Sequence, residues 1–357
     1  MIFCYLLCYL QLVFGEGFSP NVRYHAPHAN ASFNYSYVNL KYLKGHKLDI
    51  TPLLAITVRN RTHCVRKCLS KKYVCQSINT EKVSEVSWDC EILSSDVYNN
   101  PGKLISHPEV VHSVLANRCL KSPCKEGERC IPDYTNDSYS CHVMSCLGIK
   151  RLEPNSPSGF YDVYINGGYK KLYCEMEDEG GGWVLLGNYS VPATNIRPRI
   201  IYGNLDQFEQ LRNGDFLLDN KAYLSILKDW IDIKEFRFYC HKVSTGRTIH
   251  VMTAPQTTWG AYIHDYIFGK VDTPSCNPNC ESKGVGEGIN ALPDDNSFMS
   301  SVGIGSVGWG LSEYRLYDGP FFRGGPNGYH FLLNQNRQDC DDEVQPASQA
   351  TWRFYAR

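Results

Sequence analysis

The stretch CEMEDEGGGWVLL, residues 174–186, places an acidic cluster and three consecutive glycines directly before a tryptophan and an apolar run. Glycine adopts positive φ without strain and lets the backbone pass close to its neighbours. We therefore predict a tight turn over residues 178–182 and a β-strand that begins at Trp183. The indole of Trp183 is expected to pack over the bare main chain of this turn, so that the glycines meet a steric requirement.

A β-hairpin is predicted directly before this turn. Phe160–Ile165 and Tyr169–Met176 are two β-rich runs, and Asn166-Gly167-Gly168 between them is a strong signal for a tight turn. Farther along the chain, KEFRFYCHKV (234–243) and RTIHVMT (247–253) predict two more strands that pair with each other.

Two cysteines make this pattern more specific. Cys146 stands before the hairpin, and Cys174-Glu-Met leads into the three glycines and Trp183. Together with NGDFLLDNKAYLSIL (213–227), the pattern resembles the first half of a fibrinogen C-terminal-like domain. The resemblance implies such a domain over residues 144–357, a helix within 213–227 and a Cys146–Cys174 disulfide. It also implies a calcium loop and a pocket for acetylated or carbohydrate ligands in the second half, where few residues match the pattern.

Two acidic segments of the second half carry oxygen ligands of the kind that calcium prefers. The first, LPDDNSF, offers Asp294, Asp295 and Asn296, and the second, QDCDDE, spans residues 338–343. The first segment has no acids at clear alternate spacing, and the second has crowded carboxylates. A solvated turn for the first segment and a charged loop held by Cys340 for the second are therefore the competing interpretations.

The cysteines indicate an oxidising compartment. Ile2–Phe14 is an apolar run followed by small residues, which predicts a signal peptide over residues 1–17, with a signal anchor as the alternative. Cys4 and Cys8 lie in that segment, which leaves fourteen of the sixteen cysteines for as many as seven disulfides. Five glycosylation sequons agree with secretion to the extracellular matrix. They are at Asn30, Asn34, Asn60, Asn136 and Asn188.

The first cysteine group lies within HCVRKCLSKKYVCQSINTEKVSEVSWDCEIL, residues 63–93. Cys64 and Cys68 are four residues apart and would share one face of a helix that Thr62 caps. A zinc site is the alternative. With the preceding strands, this segment resembles a PAN/apple module, which we place over residues 18–117. The resemblance implies the disulfides Cys64–Cys90 and Cys68–Cys75.

The second cysteine group is CLKSPCKEGERCIPDYTNDSYSCHVMSC, residues 119–146. It resembles the first two thirds of an EGF-like module, which we place over residues 118–143. The resemblance implies the disulfides Cys119–Cys130 and Cys124–Cys141. An ordinary module of this family has a fifth cysteine where this chain has Val143, and no calcium-binding acids precede Cys119, so a short disulfide-linked spacer is expected.

Four cysteines remain after these assignments: Cys240, Cys276, Cys280 and Cys340. Four cysteines allow three pairings, and a local Cys276–Cys280 bridge within CNPNC belongs to one of them. The sequence leaves this choice open.

Composition and motifs argue against two classes of function. With 36 Lys and Arg against 37 Asp and Glu, the formal charge of −1 gives no support to a nucleic-acid-binding protein. Residues 303–308 match the glycine fingerprint of dinucleotide-binding proteins, but no strand and helix flank them, so a glycine-rich loop is expected. Neither GxSxG nor HExxH occurs, and no enzyme is predicted.

The expected fold class is α+β, as a disulfide-rich multidomain chain. The whole mosaic resembles the secreted skeletal organic matrix proteins of stony corals. This resemblance implies a non-enzymatic extracellular matrix or adhesion glycoprotein, with matrix proteins or glycans as partners and no membrane span after signal cleavage. No cofactor is expected apart from the calcium considered above, and the oligomeric state is open. A soluble fibrinogen-related lectin that binds acetylated sugars is the alternative, and a secreted enzyme with divergent loops ranks third.

Overall fold

The protein is described from a computed structural model, in which the chain forms two compact units, Met1–His142 and Val143–Arg357. The structure describes residues 22–25, 32–35, 39–70, 74–194, 196–218, 221–268, 289–297, 308–309, 321–324, 329–333, 336–342 and 349–357. Within these ranges, no helix is both long and apolar enough to cross a bilayer.

The N-terminal unit contains the helix α1 (Arg61–Ser70) and nine strands in its described part. The strands are β1 (Val22–His25), β2 (Ser32–Tyr35), β3 (Leu40–Leu48), β4 (Leu54–Val58), β5 (Ser77–Ser84), β6 (Ser87–Leu93), β7 (Leu104–Leu115), β8 (Glu128–Asp133) and β9 (Ser138–Val143, whose last residue enters the second unit). Five of them form an antiparallel sheet in the order β3-β7-β5-β6-β4. The pairs β1-β2 and β8-β9 form separate two-stranded sheets.

Helix α1 begins two residues earlier than the Thr62 cap would allow. The backbone N–H of His63 donates to the side-chain oxygen of Asn60 at 3.1 Å, so Asn60 is the capping residue and the prediction of Thr62 is wrong. The spacing of the two cysteines has the predicted consequence, because Cys64 and Cys68 are both buried against the sheet. The helix thus turns one face inward and leaves the other to solvent.

The short β8-β9 module is attached to the five-stranded sheet through polar contacts. The Tyr134 hydroxyl donates to the Asp96 carboxylate and accepts from the Asn117 side chain at 3.0 Å. Burial raises the pKa of both Asp96 and Tyr134. A spacer that shares a buried network with the sheet is part of the same unit.

His112 on β7 is a buried titratable group of this unit. Its side chain is fully buried, and Nδ1 donates to the side-chain oxygen of Asn79 at 2.9 Å. Burial, with a smaller contribution from the nearby His46, lowers the pKa of His112 to about 4. The folded unit therefore holds a neutral imidazole at neutral pH.

The C-terminal unit contains three α-helices and thirteen strands in its described part. The helices are α2 (Cys146–Leu152), α3 (Lys221–Ile231) and α4 (Thr258–Ile267). The strands are β10 (Gly159–Ile165), β11 (Gly168–Glu175), β12 (Trp183–Val191), β13 (Ile201–Gly203), β14 (Asp215–Leu218), β15 (Phe236–Lys242), β16 (Arg247–Thr253), β17 (Ile289–Ala291), β18 (Gly308–Trp309), β19 (Phe321–Gly324), β20 (Tyr329–Leu333), β21 (Gln338–Asp342) and β22 (Ala350–Ala356).

The main sheet of this unit has the order β10-β11-β12-β22-β15-β16-β17, and β14 joins it beside β12. The last strand, β22, therefore lies in the middle and pairs with both β12 and β15. Strands β18 to β21 form a second, four-stranded sheet. The predicted pairing of β15 with β16 is confirmed.

The predicted hairpin is confirmed as β10 and β11. Ile165 pairs with Gly168, and the two residues between them, Asn166 and Gly167, have φ of 50° and 82°. Positive φ at both central positions is the requirement of the two-residue turn that suits a twisted hairpin. The Asn-Gly sequence meets this requirement at the least cost.

The glycine turn before Trp183 is also confirmed, with positive φ at Gly180, Gly181 and Gly182. A Cβ at Gly181 would lie 2.2 Å from the carbonyl oxygen of Met176, and one at Gly182 would lie 2.8 Å from the Cα of Leu147. Both approaches are far inside van der Waals contact, and the contacted atoms belong to the backbone. The freedom of these glycines is thus a packing requirement.

The indole of Trp183 is fully buried, and its chief polar contacts differ from the prediction. Two guanidinium groups approach its ring, that of Arg357 at 4.2 Å from the centroid and that of Arg237 at 5.0 Å. Arg357 also donates to the carbonyl oxygens of Glu179 and Gly181 at 2.9 and 3.0 Å. The last residue of the chain thus joins the indole to the turn that precedes it.

Arg237 connects this cluster to the start of the turn. Its guanidinium lies 4.1 Å from the Tyr355 ring centroid and donates to Glu175 at 3.0 Å. The other carboxylate oxygen of Glu175 accepts from the backbone N–H groups of Glu177 and Asp178. A fully buried arginine is therefore compensated by a carboxylate that also orders the turn.

We predict that Gly181→Ala destabilises the C-terminal unit by at least about 3 kcal/mol, because positive φ costs about 1–2 kcal/mol and the clash with Met176 adds to it. Gly167→Ala is the matched control, since its φ is also positive but no atom lies within 4 Å of the added Cβ. Its cost should stay near 1 kcal/mol. Urea unfolding of both variants measures the difference, and equal costs would show that the turn relaxes around a side chain.

We also predict that acid weakens the N-terminal unit through His112. The unfolded chain binds a proton near pH 6.5 and the folded chain only near pH 4, so stability falls as the pH drops between these values, by about 3 kcal/mol in total. Asp96 acts in the opposite direction because burial raises its pKa. The measurement is therefore the difference in unfolding free energy between wild type and His112→Gln. It should shrink by about 3 kcal/mol from pH 8 to pH 4, and a constant difference would contradict the assignment.

Candidate functional site

A groove of about 550 Å³ lies between strand β4 and helix α1 of the N-terminal unit. Pockets that take ligands are typically about 300–1,000 Å³, so this volume is in the relevant range. The groove is lined by Thr57, Val58, Arg59, His63, Arg66, Lys67 and Ser70. Three of these side chains are cationic and none is acidic.

The helix supplies its outer face to this groove. His63, Arg66, Lys67 and Ser70 stand at positions i, i+3, i+4 and i+7, which fall on one side of an α-helix. The buried cysteines occupy the opposite side. The disulfides that fix α1 against the sheet therefore also fix the direction of these polar side chains.

The described cysteines form six disulfides. They are Cys64–Cys90, Cys68–Cys75, Cys119–Cys130, Cys124–Cys141, Cys146–Cys174 and Cys240–Cys340. In the first five, the structure brings together the partners that the resemblances imply. The sixth joins β15 to β21 across 100 residues and selects among the pairings that the sequence left open. Cys276 and Cys280 lie outside the described residues.

The segment Asp294–Asn296 does not form a free set of oxygen ligands. Asp295 accepts from the backbone N–H of His250 at 2.8 Å and from the hydroxyl of Ser297 at 2.8 Å. The Asn296 side chain accepts from the N–H of Thr248 at 2.6 Å, and Asp294 contacts the His250 ring at 2.5 Å. These oxygens hydrogen-bond the segment to β16, which is a structural role that requires no cation.

The acidic segment 338–343 is neutralised by protein cations over its described part, 338–342. Lys242, which is fully buried, pairs with Asp342, and Arg337 pairs with Asp339 at 2.6 Å. Arg247 donates to the carbonyl oxygen of Asp341 at 3.0 Å. The described part of this segment is strand β21, so the prediction of a charged loop is wrong, and its acids pair with protein cations.

Among the described residues, one close group of three side chains could in principle hold a metal ion, formed by Cys124, Glu128 and Cys141. Both cysteines are committed to the Cys124–Cys141 disulfide, so this group offers no thiolate pair. A second concavity, of about 130 Å³, lies in the C-terminal unit beside Gly182, Glu235 and Arg357. It is smaller than ligand pockets usually are.

The five sequons differ in accessibility. Asn60 and Asn136 are exposed, whereas Asn188 is half-buried in β12 and its side-chain N–H donates to the carbonyl of Leu211 at 2.8 Å. Asn34 lies in β2, and Asn30 is outside the described residues. Asn60 and Asn136 are therefore the sequon side chains that the described residues leave most accessible.

The groove was missed by sequence reasoning, although its signal was present. Arg66 and Lys67 stand between the two helix cysteines in HCVRKC, and Arg59 precedes the helix by two residues. The pattern of the two cysteines identifies the buried face of the helix but says nothing of the exposed face. A helical projection of the same segment would have separated the buried cysteines from the cations.

Comparisons with known proteins give one similarity in sequence. The chain is 25% identical over 214 residues to Echinolectin 1 from Echinometra lucunter, in an alignment that covers 50% of this chain and 87% of that protein. No protein-family model matches the chain.

Among the solved structures that match the chain are two human fibrinogen-like globe domains. The fibrinogen-like globe domain of human ANGPTL6 matches at 12% identity and a TM-score of 0.26, covering 59% of this chain and 93% of that one. The corresponding domain of human ANGPTL2 matches at 13% identity and a TM-score of 0.25, covering 59% and 97%.

We predict that Asp295→Ala destabilises the C-terminal unit by about 1–3 kcal/mol, because buried N–H donors of β16 and its loop lose their acceptor. Asp294→Ala is the matched control and should cost less, since Asp294 is more than half exposed. Millimolar calcium should leave the thermal midpoint of the wild type unchanged. A midpoint that rises with calcium concentration, and does not rise in Asp295→Ala, would establish a calcium site here.

Proposed function

We propose that this protein is a secreted, non-enzymatic glycoprotein that binds glycans in the extracellular space and acts in adhesion. The observation that carries the proposal is the similarity to Echinolectin 1, which extends over 87% of that protein and half of this chain. That relative is named as a lectin, and glycan binding is proposed for this chain on that basis.

The module assignments belong to the same proposal. We assign residues 1–17 to a signal peptide, 18–117 to a PAN/apple module, 118–143 to a truncated EGF-like spacer and 144–357 to a fibrinogen C-terminal-like domain. The disulfide-linked helix on an antiparallel sheet supports the second assignment, and the small two-stranded β8-β9 sheet supports the third. The hairpin followed by the glycine turn supports the fourth.

Secretion is supported by the cross-links. Six disulfides among the described cysteines require an oxidising environment to persist. In the chain-entropy view, the Cys240–Cys340 bridge alone contributes about 5 kcal/mol, because it closes a loop of 100 residues. Such a bridge restrains both ends of the long segment that separates β15 from β21.

We keep the non-enzymatic role on the sequence, in which neither GxSxG nor HExxH occurs. The glycine fingerprint at residues 303–308 lies almost wholly outside the described residues. We keep it as a glycine-rich loop.

A structural role in a calcified skeletal organic matrix is the second candidate. It rests on the resemblance of the whole mosaic to coral matrix proteins and on the formal charge of −1, which suits a scaffold better than a mineral-binding polyanion. Matrix proteins would then be the partners, in addition to glycans.

The two candidates predict different results on a glycan array probed with the full chain. A lectin should bind a set of acetylated glycans and be released by the free sugar, with or without a calcium chelator according to its need for the ion. The control is a Cys240→Ser, Cys340→Ser variant, which should lose the binding if the C-terminal unit carries it. Failure on every glycan, combined with retention in insoluble matrix, would replace the lectin proposal by the scaffold.

A further inference from the structure

We propose that the tip of the β10-β11 hairpin binds the ring of a neutral hexopyranose sugar. The proposal rests on the glycan binding proposed above and gives it a site, which consists of an aromatic surface and a carboxylate beside it. This site differs from the pocket for acetylated ligands that the fibrinogen-like resemblance implies, because that pocket belongs to the second half of the unit.

The two faces of this hairpin carry different kinds of side chain. Successive residues of a strand point to opposite faces, and residues paired in register lie side by side on the same face. The inner face is apolar and fully buried, with Val163, Ile165 and Leu172. The outer face carries three cross-strand pairs, which are Phe160–Tyr173, Asp162–Lys171 and Tyr164–Tyr169. On this face, two aromatic pairs therefore flank one charged pair.

The aromatic pair farther from the turn is packed within the fold. The rings of Phe160 and Tyr173 are 5.2 Å apart, and the Arg212 guanidinium lies 4.3 Å from the centroid of the Phe160 ring. Both side chains are half-buried. This pair therefore has the stabilising role of an ordinary cross-strand aromatic contact.

The aromatic pair beside the turn is more open. The rings of Tyr164 and Tyr169 are 5.4 Å apart in an edge-to-face arrangement, and the Trp230 ring lies 6.5 Å from that of Tyr164. We call these three residues the tip aromatics. Tyr164 and Trp230 are half-buried, whereas Tyr169 is 62% exposed. A ligand that covers the Tyr169 ring would therefore remove aromatic surface from water, which is favourable.

A carboxylate without a partner lies next to the tip aromatics. Asp162 is exposed and stands two residues before Tyr164 on the outer face, about 7 Å away along the strand. Lys171, its neighbour in register, pairs instead with Glu209 at 3.7 Å. Within the ranges that the structure describes, no hydrogen bond or ion pair engages the Asp162 carboxylate. This carboxylate can therefore accept hydrogen bonds from a ligand that covers the tip aromatics.

This combination matches the chemistry of a neutral pyranose. One face of the sugar ring presents C–H groups that pack on an aromatic ring, and its rim presents hydroxyl donors that an ionised carboxylate accepts strongly. An anionic sugar would be repelled by Asp162, and a purely apolar ligand would desolvate that carboxylate without a compensating hydrogen bond. Tyr169 therefore stacks on the sugar ring, and Asp162 accepts from its hydroxyl groups.

The test uses the full chain and saturation-transfer-difference NMR, which shows the ligand protons that contact the protein. The probes are the methyl β-glycosides of galactose, glucose and N-acetylglucosamine. Stacking on Tyr169 predicts that the ring C–H protons of the probes receive the most saturation. A pocket for acetyl groups would instead saturate chiefly the acetyl methyl group of the third probe.

Variants locate the site. Tyr169→Ala should weaken probe binding at least about tenfold, whereas Tyr169→Phe keeps the ring and should weaken it less than about threefold. Asp162→Ala should weaken it about tenfold, because a charged acceptor is lost. The matched control is Tyr139→Ala, which should leave binding unchanged, since Tyr139 is a 44% exposed tyrosine on β9 of the other unit. Thermal unfolding verifies that each variant folds.

Four results would overturn the proposal: no probe bound by the wild type, saturation confined to the acetyl methyl group, equal affinities of Tyr169→Ala and Tyr139→Ala, or equal losses in Tyr169→Phe and Tyr169→Ala. Failure of the lectin proposal is a separate result, because it requires that the wild type bind no glycan on the array. Array binding that persists in Tyr169→Ala would leave the lectin proposal intact and exclude the hairpin tip as its site.

Discussion

The contact between Arg357 and Trp183 is the interaction on which the C-terminal unit depends. Strand β22 lies between β12 and β15, so the sheet is complete only when β22 has been placed. Arg357 then reaches the indole at 4.2 Å, the carbonyls of the glycine turn and the carboxylate of Glu235 at 2.5 Å. One side chain thus connects the glycine turn, strand β22 and the start of β15, in surroundings that exclude most of the water that would weaken these contacts.

Function follows from what each unit leaves at its surface. In the N-terminal unit, α1 buries its cysteines and exposes its cations. The disulfides that stabilise the unit therefore also fix the orientation of the polar face of α1. In the C-terminal unit, the acidic residues that first suggested calcium bond instead to residues of β15 and β16. The similarity to a lectin provides the case for glycan binding.

Local patterns predicted much of this structure, and long-range contacts account for what was missed. Asn166-Gly167 predicted its hairpin because the turn requires positive φ at adjacent residues, and the glycines before Trp183 predicted their turn for the same reason. Asn60 and Thr62 are both residue types that cap helices well. Which of them caps α1 depends on where β4 ends, and in the structure it is Asn60. The roles of Asp295 and Cys240 were out of reach because each is decided by a strand distant in sequence.

A double-mutant cycle between Trp183→Leu and Arg357→Met tests the central claim most directly. Hydrogen exchange of peptides that cover β12 and β22 gives the free energy of local opening for each variant. The account predicts that the two substitutions are coupled by about 1–2 kcal/mol, the value of a buried cation–π contact, so that the second costs much less once the first is made. Strictly additive effects would show that the two ends of the sheet are held independently and would contradict the account.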